Sequence, residues 1–222
     1  TSKRQNEDLA WQLSVEGGEV PQIRPAAHPQ GTTIEVHDLF FNTPARPKFL
    51  RTENTEFEHI EEMMKRLSLA NFDVQFSLSH NDKSILQLPA ANTLVEKEHR
   101  LSKVLGKVFL SQSLAIEFEN VGMRLEGWIG EPRYARSQMD QQYFYVNGRL
   151  IKDKLISHAI RQAYQDVLYQ GRHPVYVLYL AIDPMQVDVN VHPTKAEVRF
   201  RESRLVHDFI FSALHRVLAE TK

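Results

Sequence analysis

Cysteine is absent from the 222 residues, which excludes disulfides and thiolate metal sites and fits a reducing compartment. No apolar run approaches the length needed to cross a bilayer, and no signal-peptide pattern opens the chain, so no membrane partner is expected. An excess of either charge is missing too. The 27 Lys/Arg stand against 28 Asp/Glu, so the chain as a whole advertises no polyanion partner. The ten histidines are scattered singly, without a ligand pair at helical spacing plus a third partner, and no metal site is expected. Internal repeats and low-complexity segments are also lacking.

What is present is ordinary in bulk and uneven in detail. Hydrophobic content of 42% and charged content of 25% suit a globular chain, long enough for one large domain or two small ones. Charge is distributed unevenly: Arg133 to Arg172 carries seven Lys/Arg against three Asp, whereas Glu53 to Glu62 carries five Glu and no Lys or Arg. A local basic surface can therefore exist within a neutral chain.

Periodicity assigns the elements. Residues 9–15 and 32–38 read as strands, separated by the Gly17-Gly18 turn and a proline-bearing run from Pro21 to Pro29. A helix over 54–70 has capping-box spacing at Thr55 and Glu58 and an apolar stripe of Phe57, Ile60, Met64 and Leu67. Residues 74–79 and 84–88 alternate around Asn81-Asp82 as a hairpin. Pro89 to Asn92 marks a boundary, followed by a helix over 93–105 closed by Gly106. Strands follow at 113–118 and 123–129, then a hairpin around Asn147-Gly148. The helix over 154–169, capped by Asp153, is the clearest amphipath. Strands at 175–182, 187–191 and 197–200 precede a final helix after Ser203. Strands mixed with a few long helices indicate an α+β fold in two domains, 1–92 and 93–222.

Three strings carry chemistry. In Val187-Asp-Val-Asn-Val-His-Pro-Thr-Lys195, Pro193 ends an alternating strand and leaves Lys195 on a loop, where an ammonium can meet a phosphate as a point charge. Gly31-Thr-Thr-Ile-Glu-Val36 leads into Asp38-Leu-Phe-Phe-Asn-Thr-Pro-Ala-Arg46, whose two phenylalanines are expected in the core. Arg46 has several available roles: a phosphate contact, a DNA contact, a partner carboxylate, or a salt-bridged structural loop. The third string is Tyr143-Phe-Tyr-Val-Asn-Gly-Arg149. On the 154–169 helix, Lys154, Ser157, His158 and Arg161 share the polar face, so two cations lie along one edge. Such a stripe binds phosphates without reading sequence.

In this order, the three strings resemble the N-terminal region of the MutL family of DNA mismatch repair proteins, over about residues 31–211. The resemblance implies that 1–92 is the last part of an ATPase domain of the gyrase, Hsp90, histidine-kinase and MutL superfamily, a remnant of a Bergerat-type sheet. Residues 93–222 then form a ribosomal-protein-like βαβ transducer domain. By the same resemblance, Lys195 reaches the terminal phosphate of ATP, and the Thr32 hydroxyl helps hold an adenine-reading aspartate. Lys154, Arg161, Lys152 and Arg149 are the implied DNA-binding residues, with Lys154 and Arg161 ahead of Arg149. The family commonly has a basic residue where this chain has Pro47, which sets aside a DNA contact there. The implied cofactors are ATP and Mg2+ in the full-length protein. The implied partners are DNA, MutS, a strand-incision nuclease, a helicase and a second copy of the chain. A cytoplasmic, nucleoid-associated bacterial setting goes with them. The family's glutamate base, magnesium-binding asparagine, adenine-binding aspartate and glycine-rich lid strings do not occur in these residues. The chain therefore reads as a piece truncated on its N-terminal side and inactive as an ATPase alone. Two other readings are a DNA-binding module without a nucleotide link and a gyrase-like topoisomerase transducer region. The Phe40–Arg46 and Tyr145–Arg149 strings favour the mismatch-repair family over the latter.

Overall fold

The computed structural model describes every residue except His192, Thr194, Lys195, Thr221 and Lys222, and the chain divides into two units, Thr1–Glu56 and Phe57–Lys222. Residues 57–92, which chain order puts with the first domain, lie within the second unit.

The first unit is a small antiparallel sheet of β1 (Ser2–Lys3), β2 (Ala10–Ser14), β3 (Gln22–Ala26) and β4 (Gly31–Thr32), in the order β3-β2-β1-β4. The strand expected over 32–38 is much shorter than its alternation suggests. A strand persists only where a neighbour offers ladder partners, and β1 supplies just Ser2 and Lys3, with Thr33 N donating to Thr1 O at 2.8 Å as the last rung. Phe41 is exposed and Phe40 only partly buried, correcting the core expectation for both. Arg46 opens a 3-10 turn (Arg46–Phe49), and its guanidinium lies 5.8 Å from the centre of the Phe40 ring.

The second unit begins on α1 (Glu53–Ala70). Its cap sits one turn ahead of the expected Thr55: Thr52 Oγ1 accepts the Thr55 N–H at 3.4 Å, and Glu56 reaches back to Arg51 N at 2.9 Å. The expected apolar stripe is also displaced. Ile60 and Leu67 stay about half exposed, while Ser68 and Leu69 are the buried positions. The hairpin β5 (Phe76–His80) and β6 (Lys83–Leu88) turns on Asn81 and Asp82, both with positive φ, as an Asn-Asp pair permits. Helix α2 (Leu94–Leu105) starts from a full Thr93–Glu96 capping box and stops at Gly106, where φ is +97°. A short α3 (Lys107–Ser111) follows.

The centre of this unit is a five-stranded sheet of β7 (Ser113–Asn120), β8 (Met123–Gly130), β9 (Gln142–Val146), β10 (Arg149–Leu150) and β11 (Tyr176–Ala181), in the order β10-β9-β11-β8-β7. Only the β9–β11 pair is parallel, and α4 (Lys154–Ala163) crosses between them, giving the βαβ unit. Both faces are covered, as the apolar run of β9 requires. Phe144, Val146, Leu178 and Leu180 face a core shared with α4 and α5 (Ser203–Ala219). Tyr143, Tyr145 and Val177 face the other core, with Leu69, Leu88 and Leu101. Helix α4 is shorter than the expected 154–169 because its end tightens: Gln165 and Val167 donate to carbonyls three residues back. The expected strand over 187–191 narrows to β12 (Val187–Asp188), paired with β13 (Arg199–Phe200). The Asp188 side chain accepts the Asn190 N–H at 2.9 Å, a local turn that competes with the ladder.

Candidate nucleic-acid interface and nucleotide-sensing loop

Helix α4 is held by one face and presents the other. Ile156, Ala159, Ile160 and Ala163 are buried, and the Asp153 carboxylate caps the first turn by accepting from Leu155 N at 2.8 Å and Ile156 N at 3.2 Å. Lys154, His158 and Arg161 are exposed, and spacings of four and three residues align them along one edge. The hairpin before the helix is equally fixed. Asn147 and Gly148 take φ values of +47° and +81°, and the Asn147 amide both donates to Ile182 O and accepts from Ile182 N, at 2.8 and 3.0 Å. That turn carries Arg149 into solvent. Lys152 is exposed as well, its backbone N–H bonded to Ala196 O at 2.8 Å.

Not all of the basic segment is available to a ligand. Arg136 makes a bidentate pair with Asp140 at 2.7 Å for each bond, and Arg133 meets Glu131 at 2.5 Å. The Arg136 hydrogen bond holds the Asp140 carboxyl below its ordinary range, so that pair is internally neutralised. Among the described residues, no carboxylate pairs with Arg149, Lys152, Lys154 or Arg161. The structure thus keeps four of the sequence-selected cations on one stretch of chain, exposed and uncommitted.

The residues expected to face a nucleotide are divided. Lys195 lies outside the described residues. Asp188 and Asn190 organise the turn that leads toward it. In the first unit, Thr32 is exposed on β4 and shares a 2.9 Å hydroxyl–hydroxyl bond with Ser2. It borders an open groove of about 1060 Å³ lined by Trp11, Leu13, Ile34 and Phe41 among others.

Sequence reasoning missed two clusters. Arg100 is buried within the second unit, which no composition or period announces. His158 on α4 faces His207 on α5, with Nδ1 and Nε2 3.1 Å apart. Their 49-residue separation leaves no local signal.

An antiparallel sheet with a single parallel βαβ crossover, sandwiched between helices and preceded by a smaller sheet, puts the chain in the α+β class. Comparison with known proteins supports that class. A crystal structure described as the N-terminal domain of a DNA repair protein superposes with a TM-score of 0.79 at 20% identity, covering 98% of this chain and 71% of that one. The Aquifex aeolicus MutL ATPase domain complexed with ADP superposes with a TM-score of 0.64 at 24% identity, covering 94% of this chain and 70% of that one. Residues 101–219 match the family described as DNA mismatch repair protein, C-terminal domain. The DNA mismatch repair protein MutL of Pseudomonas paraeruginosa is 56% identical over 223 residues, covering 100% of this chain and 35% of the relative. The chain belongs to the DNA mismatch repair protein family, and it spans about a third of the length of the curated relatives it matches.

Proposed function

We propose that this chain is the part of a DNA mismatch repair protein that links nucleotide state to DNA binding. Identity of 56% across this chain to a third of a curated mismatch repair protein supports the biological role. The observation that carries the DNA contact is the exposed edge of α4, where Lys154 and Arg161 pair with no carboxylate among the described residues and stand with Lys152 and Arg149 nearby. In this reading ATP with Mg2+ binds the intact protein, Lys195 reads the terminal phosphate, and Thr32 supports the adenine contact. Loss of that phosphate on hydrolysis releases the lysine, so the chain's hold on the nucleotide changes with nucleotide state. ATP binding drives pairing of two copies and hydrolysis resets the clamp. DNA, MutS, a strand-incision nuclease and a helicase are the partners, in the bacterial cytoplasm and on the nucleoid.

Duplex binding by the 222-residue chain tests the DNA contact. Lys154→Glu should weaken affinity roughly tenfold at low salt and reduce the slope of log affinity against log salt by about 1, with the fold intact by circular dichroism. Equal affinity of variant and parent at low salt would remove the α4 edge from the interface.

A further inference from the structure

We infer that His158 and His207 form a two-imidazole clamp for a divalent transition-metal ion, joining α4 to α5. Their facing nitrogens, Nδ1 and Nε2, are 3.1 Å apart. Two ligands bound tetrahedrally at about 2.0–2.1 Å stand roughly 3.3 Å from each other, so a small adjustment admits an ion between them. A second observation sets the chemistry of one ring. His207 Nδ1 lies 3.1 Å from a carboxylate oxygen of Asp208, which can only accept, so Nδ1 carries the proton and the Nε2 lone pair points toward His158. A carboxylate behind a histidine in this way fixes the ring's tautomer and orientation.

Without metal, the His158 Nδ1–H donates to His207 Nε2. Binding requires that His158 move its proton to Nε2, its other nitrogen, through solvent, and that the two rings turn so both lone pairs meet at the ion. No bond to carbon changes and no electrons are transferred. Both rings sit on helices already packed together, and His158 is exposed, so the remaining coordination positions open to water. Among the described residues no group of three or more His, Asp or Glu completes a closed site. Charge around the clamp is mixed. Asp208 favours a cation, while Arg204, 3.9 Å from the same carboxylate, and Lys154 and Arg161 along the α4 edge oppose one. That balance suits imidazole-seeking ions such as Zn2+, Ni2+ or Cu2+ at micromolar rather than nanomolar affinity.

Zinc chloride titrated into the 222-residue chain tests the clamp, followed by calorimetry and by imidazole nitrogen NMR. The expected result is one saturable site whose signals change at His158 Nδ1 and His207 Nε2, with the melting temperature raised by roughly 5 °C at saturation. His158→Asn and His207→Asn should each weaken binding at least tenfold, Asp208→Asn by roughly tenfold as a positioning residue, and the exposed control His99→Asn not at all. His158 lies on the surface, so its variant keeps the fold, which circular dichroism verifies. Unchanged affinity in His158→Asn, or no saturable binding below roughly 1 mM zinc, reduces the pair to an ordinary N–H···N hydrogen bond and overturns the inference.

Discussion

Arg100 shows what a single buried side chain can determine. Its guanidinium, 2% exposed, donates from Nη1 to Ser68 O and Asn71 O at 2.9 Å each, and from Nη2 to Val74 O at 2.8 Å and to Pro89 O. The faces of Phe72 and Phe76 lie 5.6 and 5.9 Å away. The charge thus rests on carbonyl dipoles, two of them at the end of α1, where a helix favours a cation and α1 has no basic residue of its own in its last turn. Arg100→Met leaves those carbonyls unpaired and should cost about 3 kcal/mol in urea unfolding. A loss below about 1 kcal/mol would mean that water replaces the guanidinium. Gly127 acts through absence. At φ +136° in β8, an added Cβ would lie 2.1 Å from Val177 O, so Gly127→Ala must part β8 from β11. We expect at least about 3 kcal/mol of destabilisation, and a melting temperature close to the parent's would contradict the pairing of Gly127 with Leu178.

Elements were the most legible level, where their period was complete and local. The hairpins at Asn81-Asp82 and Asn147-Gly148, the helix stop at Gly106 and the amphipathic start of α4 follow from turn chemistry and spacing alone. Helix α1 was legible in extent but not in orientation. Its buried side is chosen by what the sheet offers: Tyr145 donates to Arg66 O at 2.8 Å, Tyr179 to Leu69 O at 2.7 Å, and Tyr143 to the Glu62 carboxylate at 3.1 Å. Those partners lie 79 to 110 residues downstream, beyond any window of periodicity. Tyr145→Phe and Tyr179→Phe should each cost about 1 kcal/mol and speed hydrogen exchange in the last turns of α1, with the stacked rings retained. Exchange rates unchanged in both variants would show that these hydroxyls do not hold the helix.

Across the whole second unit, burial pushes the phenols of Tyr143, Tyr145, Tyr164, Tyr176 and Tyr179 well above their ordinary value. A raised folded value means that the contribution to stability is complete below the unfolded value and declines above it. Unfolded phenols ionise near about pH 10 while the folded ones keep their protons, so stability should fall steeply above that point. Melting temperatures and tyrosinate absorbance followed together from about pH 8 upward check the sign. All of these phenols ionising near their ordinary value with the fold intact would contradict their burial.

The candidate site was only partly legible at this scale. Exposed cations on α4 could be chosen from the polar face of one helix, because a helix edge is a local property. That Arg133 and Arg136 are spent on Glu131 and Asp140, whereas Lys154 and Arg161 stay unpaired among the described residues, depends on where each loop folds back. By itself the sequence determined the central strands, the hairpin turns, the Asp153 cap and the family resemblance, since these rest on backbone preferences and strings of neighbours in the chain. Tertiary structure alone decided which face of α1 is buried, how short β4 and β12 become, and that Arg100 and the His158–His207 pair find their partners. Those outcomes depend on hydrogen-bond and packing partners supplied from distant parts of the chain, and only closure of the fold brings them within reach.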